Sequence, residues 1–163
     1  MTSFTIEGIH LTALSSQKGL KKLSIGKFEI NNLTDSIKLQ PDDPYMFGVY
    51  YQLNEYFRRD RRTFEIPLDL DGTDFQIKVW NELIKIPYGV TISYKQLSER
   101  IGDAFAVRAV GKANGSNPIP VIIPCHRVIE ANGKLGGYSG GLHVKEKLLK
   151  LEGSLSLELF EVV

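Results

Sequence analysis

The stretch SYKQLSERIGDAFAVRAVGKA, from Ser93 to Ala113, decides how the second half of this 163-residue chain folds. Ser93 followed three residues later by Gln96 makes a capping box, so a short helix opens there and runs to about Arg100. Gly102-Asp103 turns the chain, and Ala104 to Ala113 reads as a second helix. Two short helices joined by a Gly-containing turn predict a helix-turn-helix. The second helix is built largely from small residues, Ala104, Ala106, Val107, Ala109, Val110 and Gly111, so that Arg108 and Lys112 project from it. Such a face suits either tight packing against another helix or close approach to a narrow surface such as a minor groove.

Upstream, Thr73 and Gln76 form another capping box. It opens a helix in which Phe75, Val79 and Leu83 recur every four residues, Trp80 and Ile84 widen the stripe, and Pro87-Tyr88-Gly89 ends it. Downstream of Asn117-Pro118-Ile119-Pro120, a short strand is expected at Val121–Ile123, then a corner at Pro124-Cys125-His126-Arg127 and a Gly-rich loop from Gly133 to Gly141. A last helix, His143 to Glu152, is closed by Gly153 at its C′ position. The tail 154–163 reads as strand or as disordered.

The first 70 residues alternate weakly. HLTAL and KKLSI around Gly19 read as a hairpin, TFEIPLDL (63–70) as a third strand and Tyr45–Phe57 as a helix, with turn signals at Ser15–Gly19 and Pro41–Pro44. Arg58-Arg59-Asp60-Arg61-Arg62 reads as a solvated turn. This is a small α+β module without visible chemistry, and DLDGT (69–73) is its linker. Three segments are therefore expected: 1–70, 71–153 and the tail 154–163.

Composition excludes several classes. Apolar residues at 42% and charged residues at 24% are those of a globular domain. A single cysteine forms no internal disulfide, the N-terminus lacks a signal-peptide pattern, and no run has the length of a membrane span, so a cytoplasmic (or, in a eukaryote, nuclear) protein without a membrane partner is expected. Net charge is only +1, but Phe75 to Lys150 holds eleven Lys and Arg against five Asp and Glu. That half can meet a phosphate backbone, or it is simply a solvated basic surface.

Cys125 lies in VIIPCHRVIE (121–130). A lone cysteine is most often a small buried hydrophobe. Metal binding has little support, since His10, His126 and His143 are the only histidines and there is no second cysteine. Nucleophilic chemistry is favoured by Pro124, which breaks any strand at that point, and by His126 as a partner for generating a thiolate. Adjacent side chains on a regular strand face opposite ways, so the pair cooperates only if the corner is irregular.

The run IPCHRVIEANGKLGGYSGGLHVKEKLLKLEG (123–153) strongly resembles the O6-alkylguanine-DNA alkyltransferases, with FQIKVWNELIKIPYGVTISYKQLSERIG (75–102) and VRAVGKANGSNPIPVI (107–122) extending the likeness. It is dense from about Gly72 to Gly153 and thin before Thr63. The resemblance implies an α+β protein: a small ribonuclease-H-like N-terminal module and a mainly helical DNA-binding domain with a winged helix-turn-helix. It implies direct reversal of damage, in which the alkyl group of O6-alkylguanine, or O4-alkylthymine, passes irreversibly to Cys125 after the nucleotide is flipped from the duplex. Such a methylated-DNA–protein-cysteine S-methyltransferase turns over once.

The implied roles map residue by residue. Cys125 is the nucleophile and acceptor, His126 takes its proton through a water, and Glu152 orients His126. A carboxylate in the last turn of a helix opposes the macrodipole, so Glu152 needs a local reason. Asn117 braces the active-site turn, and the Tyr94 hydroxyl reaches guanine N3 to stabilise the leaving base. Val128, Tyr138, Ser139 and Gly140 bind the base. Arg108 is the finger that fills the vacated stack, with Ala106, Ala109, Gly111 and Lys112 on the DNA-binding helix. The partner is double-stranded DNA entered from the minor groove, the protein acts as a monomer, and neither cofactor nor metal is implied.

Departures from the family pattern fall at Ala104 and Val107, near the start of the recognition helix. The N-terminal region reads as short of an opening strand, and it lacks the cysteines that bind zinc in some members. The rival reading is a non-enzymatic protein that binds alkylated DNA lesions. Proteins of that kind lack the cysteine.

Overall fold

The structure, a computed structural model, describes residues 1–26 and 43–155. Pro41 and Asp42 of the expected turn, and residues 156–163 of the tail, lie outside the described residues. The described residues form two compact units, one within residues 1–71 together with Pro118–Pro120, the other within 72–117 and 121–155.

In the first unit β1 (Thr2–Ile6), β2 (Ile9–Ser15) and β3 (Leu20–Ile25) form an antiparallel meander in that order. Glu7 and Gly8 turn between β1 and β2 with positive φ at both (49° and 77°), the sign that suits the twist of a tight hairpin. The hairpin expected around Gly19 is β2–β3. Two expectations are corrected. The chain does carry an opening strand, β1, and the third strand is β1 rather than TFEIPLDL. Pro67 has no N–H to donate; its carbonyl accepts from Leu20 N–H (2.8 Å), Asp69 N–H returns a bond to Leu20 O (2.9 Å), and pairing there stops at one parallel bridge, Leu20 to Leu68.

Helix α1 (Pro44–Phe57) starts where Asp43 accepts the N–H groups of Tyr45 and Met46, with Pro44 in the first turn. It packs on β1 and buries Met46, Val49, Leu53, Tyr56 and Phe57, while Leu11, Ala13, Leu20 and Leu23 of the sheet are buried too. After α1 the arginine cluster turns through Arg59 (φ 67°), and Arg61 pairs with Glu55 at 2.7 Å.

The second unit contains α2 (Asp74–Ile84), β4 (Ile92–Ser93), α3 (Tyr94–Arg100), α4 (Val107–Gly115), β5 (Val128–Ile129) and α5 (Leu142–Leu151). Both expected capping boxes are formed, Thr73 with Gln76 and Ser93 with Gln96. Val79, Trp80 and Leu83 are buried, but Ile84 is 44% exposed and leaves the stripe assigned to it. Trp80 donates its indole N–H to the Ala113 carbonyl at 2.9 Å and so fixes the end of α4 on α2. α4 packs on both α2 and α3, the helix-turn-helix arrangement.

The helix expected from Ala104 begins at Val107 instead. The Asp103 carboxylate accepts the Phe105 N–H at 3.0 Å, and the Asp103 carbonyl accepts from Ala106 N–H at 3.1 Å, so Ala104–Ala106 form a turn. The strand expected at Val121–Ile123 is also absent. Val121 takes a φ of 74°, which no strand accommodates, and the pairing lies beyond the cysteine, where Val128 and Ile129 run parallel to Ile92 and Ser93. Among the described residues no helix is long and apolar enough to cross a membrane.

Candidate active site

Pro124 sits at φ −82° and ψ 62°, and the Cys125 N–H donates back to Ile123 O at 2.8 Å: an inverse γ-turn centred on the proline. A 3-10 turn over Cys125–Arg127 follows immediately. The corner is therefore irregular, and successive side chains leave it a third of a turn apart rather than on opposite faces. Cys125, His126 and Arg127 are all buried, His126 completely.

The side chains of this turn meet the end of α5. Glu152 is the C-cap of that helix, and its Oε1 lies 2.9 Å from His126 Nε2. Arg127 clasps the same carboxylate, Nε to Oε2 and Nη2 to Oε1, both at 2.9 Å, and its Nη1 donates to Ile86 O at 2.6 Å. The Gly89 N–H approaches Oε2 at 3.3 Å. Burial alone would raise the Glu152 carboxyl, but the hydrogen bonds and charges of His126 and Arg127 outweigh it and hold the group well below the usual carboxylate range. This guanidinium supplies the local reason for an acid at a helix C-terminus. Burial pushes His126 down from its ordinary value despite Glu152, and its Nδ1 has no partner among the described residues. Burial likewise pushes the Cys125 thiol up, against the opposing influence of Asn117 and Lys145.

Asn117 donates Nδ2–H to Ile123 O at 2.8 Å, the oxygen that also closes the γ-turn. A second asparagine, Asn114, directs its amide toward Cys125 O at 3.4 Å. Lys145 is completely buried in α5, and its ammonium donates to Val128 O at 2.7 Å, to Leu135 O, and to Gly137 O at 3.4 Å, joining β5 to the Gly-rich loop.

Cys125 opens on a cleft of about 300 Å³ lined also by Tyr94, Gly111, Asn114, Gly115, Gly137, Tyr138 and Ser139. The Tyr138 hydroxyl is buried beside the thiol without a regular hydrogen bond, and burial drives its pKa well above the ordinary tyrosine value. Tyr94 is also raised, first by burial and then by the charges of Cys125 and Glu130, so it stays a protonated donor at neutral pH. Gly136 has a φ of 70°, and a Cβ there would stand 3.2 Å from the Tyr94 hydroxyl.

Of the residues singled out in the sequence, Cys125, Tyr94, Gly111, Tyr138 and Ser139 share this cleft, and His126, Glu152 and Asn117 stand behind Cys125. Val128 does not line it: the residue is fully buried in β5, with its carbonyl on Lys145. Gly140 is not among the lining residues either. On α4 the buried face is Val110, Ala113 and Asn114, whereas Val107, Arg108, Ala109 and Lys112 are exposed and Ala106 half-buried. Val107 and Ala109 thus lie on the open side of α4, away from the packing face, with Gly111 half-buried beside them. Arg127, Lys145 and Asn114 carried no role in the sequence reading. A charged residue inside the apolar run VIIPCHRVI was the available signal, because a buried arginine demands an acid partner. Among the described residues no group of three or more His, Cys, Asp or Glu could hold a metal ion.

Comparison with known proteins agrees across nearly the whole chain. Residues 7–70 match the family described as "6-O-methylguanine DNA methyltransferase, ribonuclease-like domain", and residues 74–154 match its "DNA binding domain". The methylated-DNA–protein-cysteine methyltransferase of Methanosarcina acetivorans is 55% identical over 144 residues, 88% of this chain and 86% of that one. The protein of the same name from Mycobacterium tuberculosis is 54% identical over 114 residues, 70% and 69% of the two chains. Among solved structures, a variant of the Mycobacterium tuberculosis O6-methylguanine methyltransferase superposes with a TM-score of 0.80 at 43% identity, covering 97% and 96%. Mycobacterium tuberculosis OGT in complex with DNA gives 0.76 at 46% identity, covering 89% and 87%. With both domains matched in order and half of the aligned residues identical, the chain belongs to the 6-O-methylguanine DNA methyltransferase family.

Proposed function

We propose that this protein repairs DNA by direct reversal, moving the alkyl group of O6-alkylguanine onto its own Cys125 as a methylated-DNA–protein-cysteine S-methyltransferase. The observation that carries the reading is the buried His126–Glu152 pair set directly behind a thiol that faces an open cleft. Cys125 Sγ attacks the alkyl carbon, the S–C bond forms, and the C–O6 bond breaks. The thiol proton passes to Nδ1 of His126 through a water, with Glu152 orienting the ring and stabilising the imidazolium that forms. Guanine departs with negative charge, which the protonated Tyr94 hydroxyl stabilises at N3. Asn117 holds the turn, while Tyr138 and Ser139 bound the base. A thioether does not revert, so each molecule acts once and needs no cofactor.

The target lies inside a duplex and must be flipped out, at a cost of a few kcal/mol. The exposed small-residue face of α4 supports a minor-groove approach, with Ala106, Ala109 and Gly111 permitting close contact, Lys112 meeting phosphate, and Arg108 entering the stack. The protein works as a monomer on double-stranded DNA in the cytoplasm.

Intact-mass measurement after incubation with a short duplex carrying one O6-methylguanine tests the reading. One added CH2 unit per protein, mapped to Cys125 and saturating there, is the expected result. Tight lesion binding without any adduct would replace it with the non-enzymatic lesion-binding function, although the presence of Cys125 argues against that.

A further inference from the structure

Two buried charges meet at Glu152, and only one of the residues holding it has been given a part in the chemistry. A buried carboxylate holds a neutral imidazole only where other donors satisfy its charge; without them it takes up a proton itself or draws a second proton onto the ring. Both outcomes disable a base. An imidazolium has no lone pair, and a protonated carboxyl donating to Nε2 would leave the ring proton on Nδ1. Arg127 changes the balance. It is 5% exposed, permanently charged, and bidentate on Glu152 at 2.9 Å to each oxygen. Its remaining terminal nitrogen is fixed to Ile86 O at 2.6 Å, and its guanidinium carbon stands 5.9 Å from the centre of the Tyr88 ring. These contacts hold the guanidinium on Glu152.

We infer that Arg127 is a positioning residue for the alkyl transfer: by holding Glu152 as an acceptor-only carboxylate, it keeps His126 neutral, protonated at Nε2, with its lone pair on Nδ1. This rests on the function proposed above, because the lone pair matters only if Cys125 is to lose a proton. His126 Nδ1 is the buried ring nitrogen without a partner among the described residues. Among the described residues, the charged groups acting on the ring are Glu152 at the end of α5, Arg127 in its own turn and Lys145 from α5, with Cys125 its neighbour in sequence. Glu152 alone pulls the ring toward imidazolium, whereas Arg127 and Lys145 oppose it.

The test pairs a spectroscopic readout with a kinetic one. In full-length wild-type protein with 15N-labelled histidine, the His126 resonances near neutral pH are expected to show a protonated Nε2 and an unprotonated Nδ1. An imidazolium, or the opposite tautomer, would overturn the inference whether or not any methyl is transferred. The pH dependence of single-turnover transfer is then compared in wild type, Arg127→Lys and Arg127→Met. Loss of the cation in Arg127→Met is expected to move the acid limb of the profile upward by about one unit or more. Arg127→Lys keeps a charge, so its limb stays near the wild-type position while its plateau falls. If both variants lower the plateau and leave the limb unmoved while His126 in Arg127→Met still shows a protonated Nε2 and an unprotonated Nδ1, Arg127 is merely structural. A wild-type protein that shows the expected tautomer but transfers nothing would instead sink the proposed function and leave the tautomer assignment standing.

Discussion

The side-chain amide of Asn117 donates to the Ile123 carbonyl at 2.8 Å, onto the oxygen that already receives the Cys125 N–H. One acceptor thus closes the γ-turn and anchors it to the segment that follows α4, so backbone geometry helps place the cysteine.

Asn117→Ala removes that donor from a buried site. Loss of a buried hydrogen bond costs about 1–3 kcal/mol. The expected result is a destabilisation of that size in urea unfolding, with a slower transfer rate but unchanged affinity for duplex DNA. Unaltered stability and rate would show that the turn holds itself.

Stability should respond to pH at both ends. Glu152 is lowered in the folded state, so its contribution is present above the unfolded carboxyl value of about 4.3 and is lost as pH falls below it. His126 is lowered by burial, so the unfolded chain takes up a proton near pH 6.5 that the folded one resists, and stability begins to fall there. Lys145 acts at the other end. Burial pushes it down to about 8, so the cost of burying its charge is fully present at neutral pH and is relieved as pH rises from about 8 toward 10.5. Unfolding midpoints across this range should fall on the acid side and gain a contribution on the alkaline side. Lys145→Met should abolish the alkaline contribution alone.

Gly136→Ala tests the wall of the cleft. The backbone at φ 70° disfavours a side chain by roughly 1–2 kcal/mol, and the new methyl would press on the Tyr94 hydroxyl, 3.2 Å away. Reduced stability together with impaired transfer is expected. Gly133→Ala, at φ 83° with open space around its Cβ, carries the backbone cost without the contact and should spare transfer.

The legible parts of this fold are those governed by neighbours in sequence. Thr73 with Gln76 and Ser93 with Gln96 satisfy each other within one helical turn, so α2 and α3 could be placed at once. What failed depended on distant partners. The β-branched run Val121–Ile123 and the pair Val128–Ile129 look alike, and only the parallel partner Ile92–Ser93 selects the second. TFEIPLDL alternates like a strand, but Pro67 leaves it a single bridge. Within the site, Cys125 and His126 stand out by residue type beside Pro124, and the resemblance supplies Glu152. Arg127 and Lys145 were passed over, because a buried cation is recognised only from the oxygens it reaches, and these come from Ile86, Glu152, Val128 and the Gly-rich loop. The late start of α4 hung on one Asp103 side chain competing for a backbone N–H.

Arg108 offers the sharpest separation of chemistry from DNA handling. It is exposed on α4, on the side opposite the buried Val110, Ala113 and Asn114, and it is absent from the cleft around Cys125. If it fills the space left by the flipped nucleotide, Arg108→Ala should slow transfer from a lesion in duplex DNA by about ten-fold or more, since losing about 1.4 kcal/mol suffices for that factor. Transfer from a free O6-alkylguanine base, which needs no flipping, should keep its rate, as should the melting temperature. A phosphate contact would behave differently, reducing the dependence of DNA affinity on salt by a slope of about one and weakening lesion-bearing and lesion-free duplexes alike. Equal slowing on the free base and the duplex would instead place Arg108 in the support of the cleft itself.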